Sequence, residues 1–393
     1  MTLTQLEASN FSLKLSISSL PVEFVTNPKA VLLTGGTGFL GSYLLAELLN
    51  QTSATIYCLV RATDANQGKQ RLHESLQKYL LWQDKFEDRI IPVLGDLSQK
   101  TLGIADSKLT ELAEIIDTIY HNGAIVNWLQ SYEELEPANV GSTLELIEFA
   151  CKSKVKPIHF VSAMGVIIDS NYSPEQVLKE TEPLGKIDFA NDYLKSKWAS
   201  EKLLENAKER GIPVCVYRCG FIGGDSKTGI SYEERDFLWK FVKGCIQMGI
   251  VPALEQRLDF TPVCFVSRAI VHLSRQPESE GKTFHVLNSH PSTWRDLFNQ
   301  FRAYGYPLEE LEPEEWRKTF LKTIRRNRDN ALFPFFWMFS ETIPLYLPQV
   351  DCKNTVSGLA ETDIVCPPVD KKLVDTYCSY FINKGFLEPP INS

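Results

Sequence analysis

The 393-residue chain has length for two to three domains, and its 44% hydrophobic content supports a sizeable soluble core. A formal net charge of -8 at pH 7 disfavours nucleic acid as the main partner, because that interaction draws on an excess of Lys and Arg facing phosphates. The start, MTLTQLEASNFSLKLSISSL, has too few positive charges and too short an apolar core for a secretory signal, and no apolar run reaches the roughly 18 residues of a spanning helix. A cytoplasmic protein is expected. Its nine cysteines show no CxxC pair and no His at metal-ligand spacing, so free thiols and no metal are expected.

From residue 29 strands and helices alternate: KAVLLTG, LGSYLLAELLN, TIYCLVR, GKQRLHESLQKYLLW, RIIPVLGDL, IIDTIYHNGA, LEPANVGSTLELIEFACKS, KPIHFVSAMGV, YLKSKWASEKLLENAKERG and PVCVYRCG. Short apolar strands separated by amphipathic helices predict an α/β fold, a Rossmann-type doubly wound parallel sheet whose ligands bind at the C-terminal strand ends. After about residue 225 the rhythm breaks. The expected division is a lead segment 1–28, a dinucleotide-binding domain 29–225 to which 257–287 returns, and a smaller, mostly helical C-terminal substrate domain 226–393.

The first strand runs into TGGTGFLG, where Gly36, Gly38 and Gly41 satisfy GxGxxG and Gly35, Gly38 and Gly41 satisfy GxxGxxG. Between a strand and a helix, such glycines let the backbone approach a pyrophosphate, which rests on the helix N-terminus beginning at Phe39. The second strand ends on Arg61 rather than on Asp or Glu, with Lys69 and Arg71 downstream. A guanidinium suits a 2'-phosphate, so NADPH is favoured over NADH. Asp96, after the third strand, either accepts from the adenine amino group or caps a turn.

Tyr193 and Lys197 in NDYLKSKW lie four apart, on one helix face, where an ammonium beside a phenol would lower the tyrosine pKa and make it a usable acid near neutrality.

Together TGGTGFLG, YHNGAIVNW, ANV, YLKSKW and DFTPVCFVSRAIV resemble the extended short-chain dehydrogenase/reductases, specifically the thioester reductase domains that end nonribosomal peptide and polyketide assembly lines. The resemblance runs from about residue 29 to 290 and more loosely beyond. It implies NADPH-dependent release of an acyl or peptidyl group, held as a thioester on the phosphopantetheine arm of a carrier protein, as an aldehyde or, after a second hydride, the alcohol. It implies cofactor contacts at Gly35, Thr37, Gly38, Phe39, Leu40, Arg61, Arg71, Asp96, Leu97, Asn122, Gly123, Ala124, Gly220 and Ile222, and roles for Tyr193 as oxyanion donor and Lys197 as its support.

The chain departs from the family pattern around this site. Relatives usually read Ser-Thr at the end of the fifth strand, and the threonine supplies the second oxyanion donor; here Ser162 is followed by Ala163. Losing such a donor commonly costs about 2.7 to 4 kcal/mol. Ser162 would substitute in a bulged strand end, whereas regular alternation sends its side chain to the other face. Cys219 stands in place of the usual proline of YRPG, Cys264 in place of the acid after TPV, and Ser142 where glycine is expected after NVx. An NADPH-binding protein with little turnover, a redox-inactive condensing relative and a sugar-nucleotide epimerase or dehydratase are the competing readings. Arg317, Lys318, Lys322, Arg325, Arg326 and Arg328, followed by the aromatic block Phe333 to Phe339, suit either docking of an acidic carrier or a solvated helix followed by core; a membrane surface is a weaker fit. The start at Met1 is compatible with a separate carrier polypeptide or with an excised domain.

Overall fold

The computed structural model describes residues 23–168, 176–184, 191–234, 236–290, 292–340 and 349–390; residues 1–22 of the expected lead segment lie outside them. In chain order come β1 (Ala30–Thr34), α1 (Phe39–Gln51), β2 (Thr55–Val60), α2 (Ala65–Lys78), β3 (Ile90–Leu94), α3 (Asp106–Ile115) and β4 (Thr118–His121). Next, α4 (Tyr132–Glu136) and α5 (Ser142–Ala150) are joined by a π-helical turn (Pro137–Gly141), and β5 (Ile158–Ala163), α6 (Asp192–Glu209) and β6 (Val214–Cys219) follow. The remainder comprises β7 (Phe221–Gly223), α7 (Phe237–Met248), β8 (Phe260–Pro262), α8 (Val263–Leu273), β9 (Thr283–Val286), α9 (Trp294–Tyr304), α10 (Pro313–Ile324), α11 (Lys353–Leu359) and α12 (Lys371–Asn383), with short two- and three-residue strands between them.

Seven strands form one parallel sheet in the order β9-β6-β5-β4-β1-β2-β3. Alternation sorts each strand between two cores. Leu32, Ile119, Ile158 and Phe160 face α3, α5 and α6, whereas Val31, Leu33, Cys58 and Tyr217 face α1, α2 and α8. Both faces being covered explains why the strands read as continuous apolar runs. A third core, built from α7, α9, α10 and α12, gathers Trp239, Phe241, Trp294, Trp316, Phe320 and Phe381.

The chain returns to the sheet twice after leaving it. Residues 263–286 supply α8, which packs on α1, and the edge strand β9; later α11 packs against both α8 and β9. Glu180 secures that second return by accepting from the backbone N–H groups of His285 and Thr355 (2.9 and 3.2 Å) and from the Thr355 hydroxyl (3.0 Å). The helical tail is therefore not a separate body in its packing: Leu359, Ile364 and Cys366 belong to the sheet's core.

Candidate functional site

β1 delivers the glycine turn to the C-terminal edge of the sheet. Gly35 adopts φ +74°, a left-handed conformation, and its Cα faces Gly123 so closely that a Cβ there would lie 2.7 Å from the Gly123 Cα. A Cβ on Gly41 would collide with the Gly35 carbonyl oxygen, so α1 can start against the turn only with glycine there. Gly38, the N-cap of α1, has no side chain to cap the helix, and its own N–H bonds to Gly35 O at 2.9 Å. The following N–H groups of the first turn are left to a ligand or solvent, which is the arrangement a pyrophosphate requires. Thr37, Phe39 and Leu40 lie in this turn, as the sequence predicts.

Beside the cradle, the end of β4 is pinned by a buried polar chain. The Gly123 N–H donates to Thr34 Oγ1 (2.9 Å), which lies 2.9 Å from His121 Nδ1; His121 Nε2 lies 3.1 Å from Thr143 Oγ1, whose hydroxyl donates to Asn139 O (2.9 Å). Burial, reinforced by the charge of Lys197, pulls His121 down to about 3, so the ring is neutral. The network then assigns the proton to Nε2. Asn122 and Ala124 flank this fixed Gly123, and the Asn122 amide reaches Gly35 O at 3.5 Å.

At the end of β2, Arg61 and Arg71 are exposed side by side, the Arg71 guanidinium donating to the Arg61 carbonyl oxygen. Lys69 is engaged elsewhere, 2.6 Å from Glu87 in a surface ion pair. Asp96 caps its own turn: one carboxylate oxygen accepts from the Ser98 N–H and hydroxyl (2.9 and 2.8 Å). That N–H bond, more than the hydroxyl or the charge of Arg61, holds the carboxyl below its ordinary range. Leu97 approaches Gly123 from the same loop.

α6 brings the tyrosine and lysine to the sheet. Its N-cap Asn191 accepts from Leu194 N–H (2.9 Å), which sets Tyr193 in the first turn and Lys197 one turn on. Lys197 is buried, donates to Val161 O at 2.6 Å and lies 3.9 Å above the Phe160 ring, so its ammonium clamps α6 to β5. Burial lowers its pKa to about 7, against the opposing charges of Glu201 and Cys219. Tyr193 departs from expectation. Burial, and then Cys219, raise the phenol above its ordinary value, because desolvation disfavours the phenolate.

β5 reaches Ala163 without a bulge, with Ser162 opposite Arg218 and Ala163 opposite Cys219 on β6. Ser162 therefore shares the face of Phe160, under α6, and its buried hydroxyl has no hydrogen-bond partner among the described residues. Gly220 and Ile222 follow β6; the buried Asp259 carboxyl presses on the Gly220 Cα so closely that no side chain fits there. Cys264 meets Ser226 Oγ at 3.2 Å, and Ser142, opening α5, donates to Ala138 O of the π-helical turn at 2.6 Å. No group of His, Cys, Asp and Glu suited to a metal ion occurs among the described residues.

Asn139 is the residue that sequence reading passes over. The π-helical turn aims its amide at the loop after β4, where it accepts from Ile125 N–H (2.7 Å) and donates to Ile125 O (3.1 Å) and Ser196 Oγ (2.9 Å). Ser200, also on α6, donates to Asn139 O (2.9 Å). Asn139 thus joins the cofactor edge to the tyrosine helix. The ANV tripeptide is visible in the sequence, but the extra residue per turn that points it inward is not.

The glycine cradle and the Tyr193–Lys197 helix share one sheet edge. The profile of the NAD-binding family described as "Male sterility protein" matches residues 33–270. The terminal R domain from the myxalamid PKS-NRPS biosynthetic pathway superposes with a TM-score of 0.90 at 36% identity, over 98% of this chain and 99% of that one. The chain belongs to the terminal reductase domains of extended short-chain dehydrogenase/reductase type. A reductase (R) domain of a nonribosomal peptide synthetase from Mycobacterium tuberculosis aligns with a TM-score of 0.80 at 26% identity, over 98% of this chain and 97% of that one. A linear gramicidin synthase of Brevibacillus parabrevis is 37% identical over 93% of this chain, and L-2-aminoadipate reductase of Saccharomyces cerevisiae 34% over 92%. The chain spans 7% and 28% of those two proteins. It is a reductase by family, and the glycine cradle with the uncapped α1 N-terminus fits the pyrophosphate of a nicotinamide dinucleotide. No helix among the described residues is long and apolar enough to cross a membrane.

Proposed function

We propose that this reductase releases an acyl or peptidyl group from the phosphopantetheine thioester of a carrier protein as an aldehyde, in the cytoplasm. The supporting observation is the clamp of α6 on β5 through Lys197 and Val161 O, which presents Tyr193 at the same edge as the glycine cradle, in a chain alike end to end with a terminal R domain. NADPH, when bound, supplies the hydride. Gly35, Thr37, Gly38, Phe39 and Leu40 would hold its pyrophosphate, and Arg61 and Arg71 its 2'-phosphate. Asp96 and Leu97 would border the adenine, and Asn122, Gly123, Ala124, Gly220 and Ile222 the nicotinamide half.

Tyr193 would hydrogen-bond to the oxygen that gains charge as the thioester carbonyl is reduced and pass its proton there; burial keeps the phenol protonated at neutral pH but makes it a weaker acid than the sequence predicts, so hydrogen-bond donation to the oxyanion is its main contribution. Lys197 would position the phenol and the nicotinamide ribose. Ser162, which the regular alternation of β5 turns to the face opposite Ala163, would not take the place of the missing threonine hydroxyl, and Tyr193 is proposed as the remaining oxyanion donor. The hemithioacetal then collapses to aldehyde and free thiol.

The test is NADPH oxidation with acyl thioesters of pantetheine. Oxidation with aldehyde release, reduced at least about a hundredfold by Tyr193→Phe, supports the reading. Ala163 favours one second reading, an NADPH-binding protein with little turnover: NADPH binding without oxidation, and oxidation gained in Ala163→Thr, would replace the first reading with that one.

A further inference from the structure

α10 is two-faced. Trp316, Phe320 and Ile324 are buried in the third core, while Lys318, Lys322 and Arg325 form the opposite, exposed stripe. Arg326 and Arg328 extend it into the following turn. Arg317 and Lys318 spend their charge on Glu314, at 2.8 and 3.5 Å. Lys322, Arg325, Arg326 and Arg328 make no ion pair with any described residue. In a chain of net charge -8, four cations without counter-charges on one helix end and turn are a local inversion of sign.

The basic end continues into an aromatic track. Arg328 lies 5.8 Å from the Phe333 ring, and Phe333 stacks on Phe336 at 6.0 Å. The block divides by side. Phe335 and Phe339 are buried, as a plain core reading expects, but Phe336 and Trp337 are 46% and 43% exposed. Phe335 packs edge-on against Phe237 (5.2 Å), and Phe237 stacks on Trp128 (4.9 Å). Trp128 belongs to the loop after β4 that Asn139 fixes, and its neighbours Val126 and Leu129 are 69% and 50% exposed. One aromatic block thus meets the basic turn through Phe333 and the Trp128 loop through Phe335, and Asn139 ties that loop to the helix carrying Tyr193.

We propose that Lys322, Arg325, Arg326 and Arg328 form the docking surface for an acidic carrier protein, with Phe336 and Trp337 as its apolar centre and the Trp128 loop as the path of the thioester arm. This rests on the reading above. Complementary charge commits the site to an acidic partner, and the aromatics beside it provide the desolvated contact that charge alone does not. The packing of the same aromatic block toward the Trp128 loop is what favours a partner that delivers a group to the active-site edge over one that merely adheres.

The test uses the full chain, an acidic acyl carrier protein in its phosphopantetheinylated form, and octanoyl thioesters on that carrier and on free pantetheine. Lys322→Glu/Arg325→Glu/Arg326→Glu is expected to raise the carrier Kd about tenfold or more and to lower kcat/KM for the carrier-borne thioester equally, with the pantetheine thioester unaffected. Wild-type binding should weaken as salt rises from about 50 to 300 mM. Should the triple variant fold poorly, Lys322→Gln/Arg325→Gln gives the same readout with a smaller change. Carrier binding unchanged by either variant overturns the docking surface while leaving the reductase intact. Absence of oxidation with either thioester overturns the reductase reading, and the Kd comparison still decides docking. Binding of phosphatidylglycerol vesicles, lost in the triple variant, with no carrier binding, would reassign the patch to a membrane surface.

Discussion

Lys197 is governed by what surrounds it more than by its own chemistry. Burial between α6 and β5 removes water from the ammonium and lowers its pKa to about 7; on the same helix Glu201, and on β6 Cys219, oppose that fall. His121 on β4 also feels its charge, and the backbone of Val161 and the ring of Phe160 supply its contacts on β5. Glu201 itself is shared: Arg218 grips it through three hydrogen bonds of 2.8 to 3.2 Å, both side chains being buried. Glu201→Gln keeps the shape and removes the charge that lies one helical turn from the lysine, leaving Arg218 without its carboxylate. Lys197 should then lose its proton at lower pH. If the ammonium is the working form, activity is present below its pKa and lost above it, so the alkaline limb of the pH–rate profile should move acidward and activity at pH 8 should fall roughly threefold to tenfold relative to pH 6. A profile that keeps its shape while the whole rate drops would mean that Glu201 only holds the fold together.

At the scale of elements, the sequence is most readable where backbone geometry demands one residue type. The β1 glycine turn is such a place, since Gly35 and Gly41 admit no Cβ, and so is the alternation that sorts β1 between two cores. Legibility fails where a residue does something unusual for its kind. The apolar spacing predicts that α2 reaches Trp82, but the helix ends at Lys78, because Leu80 takes φ 57° and lets Leu81 N–H bond Leu76 O at 2.8 Å. This is a Schellman-like ending with leucine where glycine normally stands, and nothing local announces it. Leucine in this conformation costs about 1 to 2 kcal/mol, and Leu80 is exposed, so little packing is lost by removing it. Leu80→Gly should therefore stabilise the protein by roughly 0.5 to 1 kcal/mol after allowing for glycine's greater unfolded-state freedom, read as a higher urea midpoint at unchanged m-value. A lower midpoint would show that the leucine side chain contributes more than its strain costs. The π-helical turn at Asn139 is hidden for a related reason: it depends on hydrogen bonds one residue longer than helical spacing, which periodicity does not register.

Across the whole molecule, the sheet's two cores and the third core are distinct hydrophobic assemblies. What the strand and helix rhythm of the sequence does not convey is how tightly they are tied, because the ties come from residues far apart in the chain. Tyr377 of α12 donates to Gly224 O at 2.8 Å; Phe221 of β7 packs edge-on against Trp294 of α9; β7 pairs with β8; and Tyr380 of α12 packs against both the sheet's core and the third core. These ties predict cooperative unfolding, although the glycine cradle belongs to the sheet alone. A ligand that binds only the native state stabilises whatever unfolds with its site, by about 2.7 kcal/mol at one hundred times Kd. NADPH should accordingly raise a single calorimetric transition whose van't Hoff and calorimetric enthalpies agree, and NADH at equal concentration should raise it less, since Arg61 and Arg71 would find no 2'-phosphate. Two transitions, of which NADPH moves only one, would mean that the third core unfolds independently and that the contacts at Tyr377 and Phe221 are too weak to couple it to the sheet.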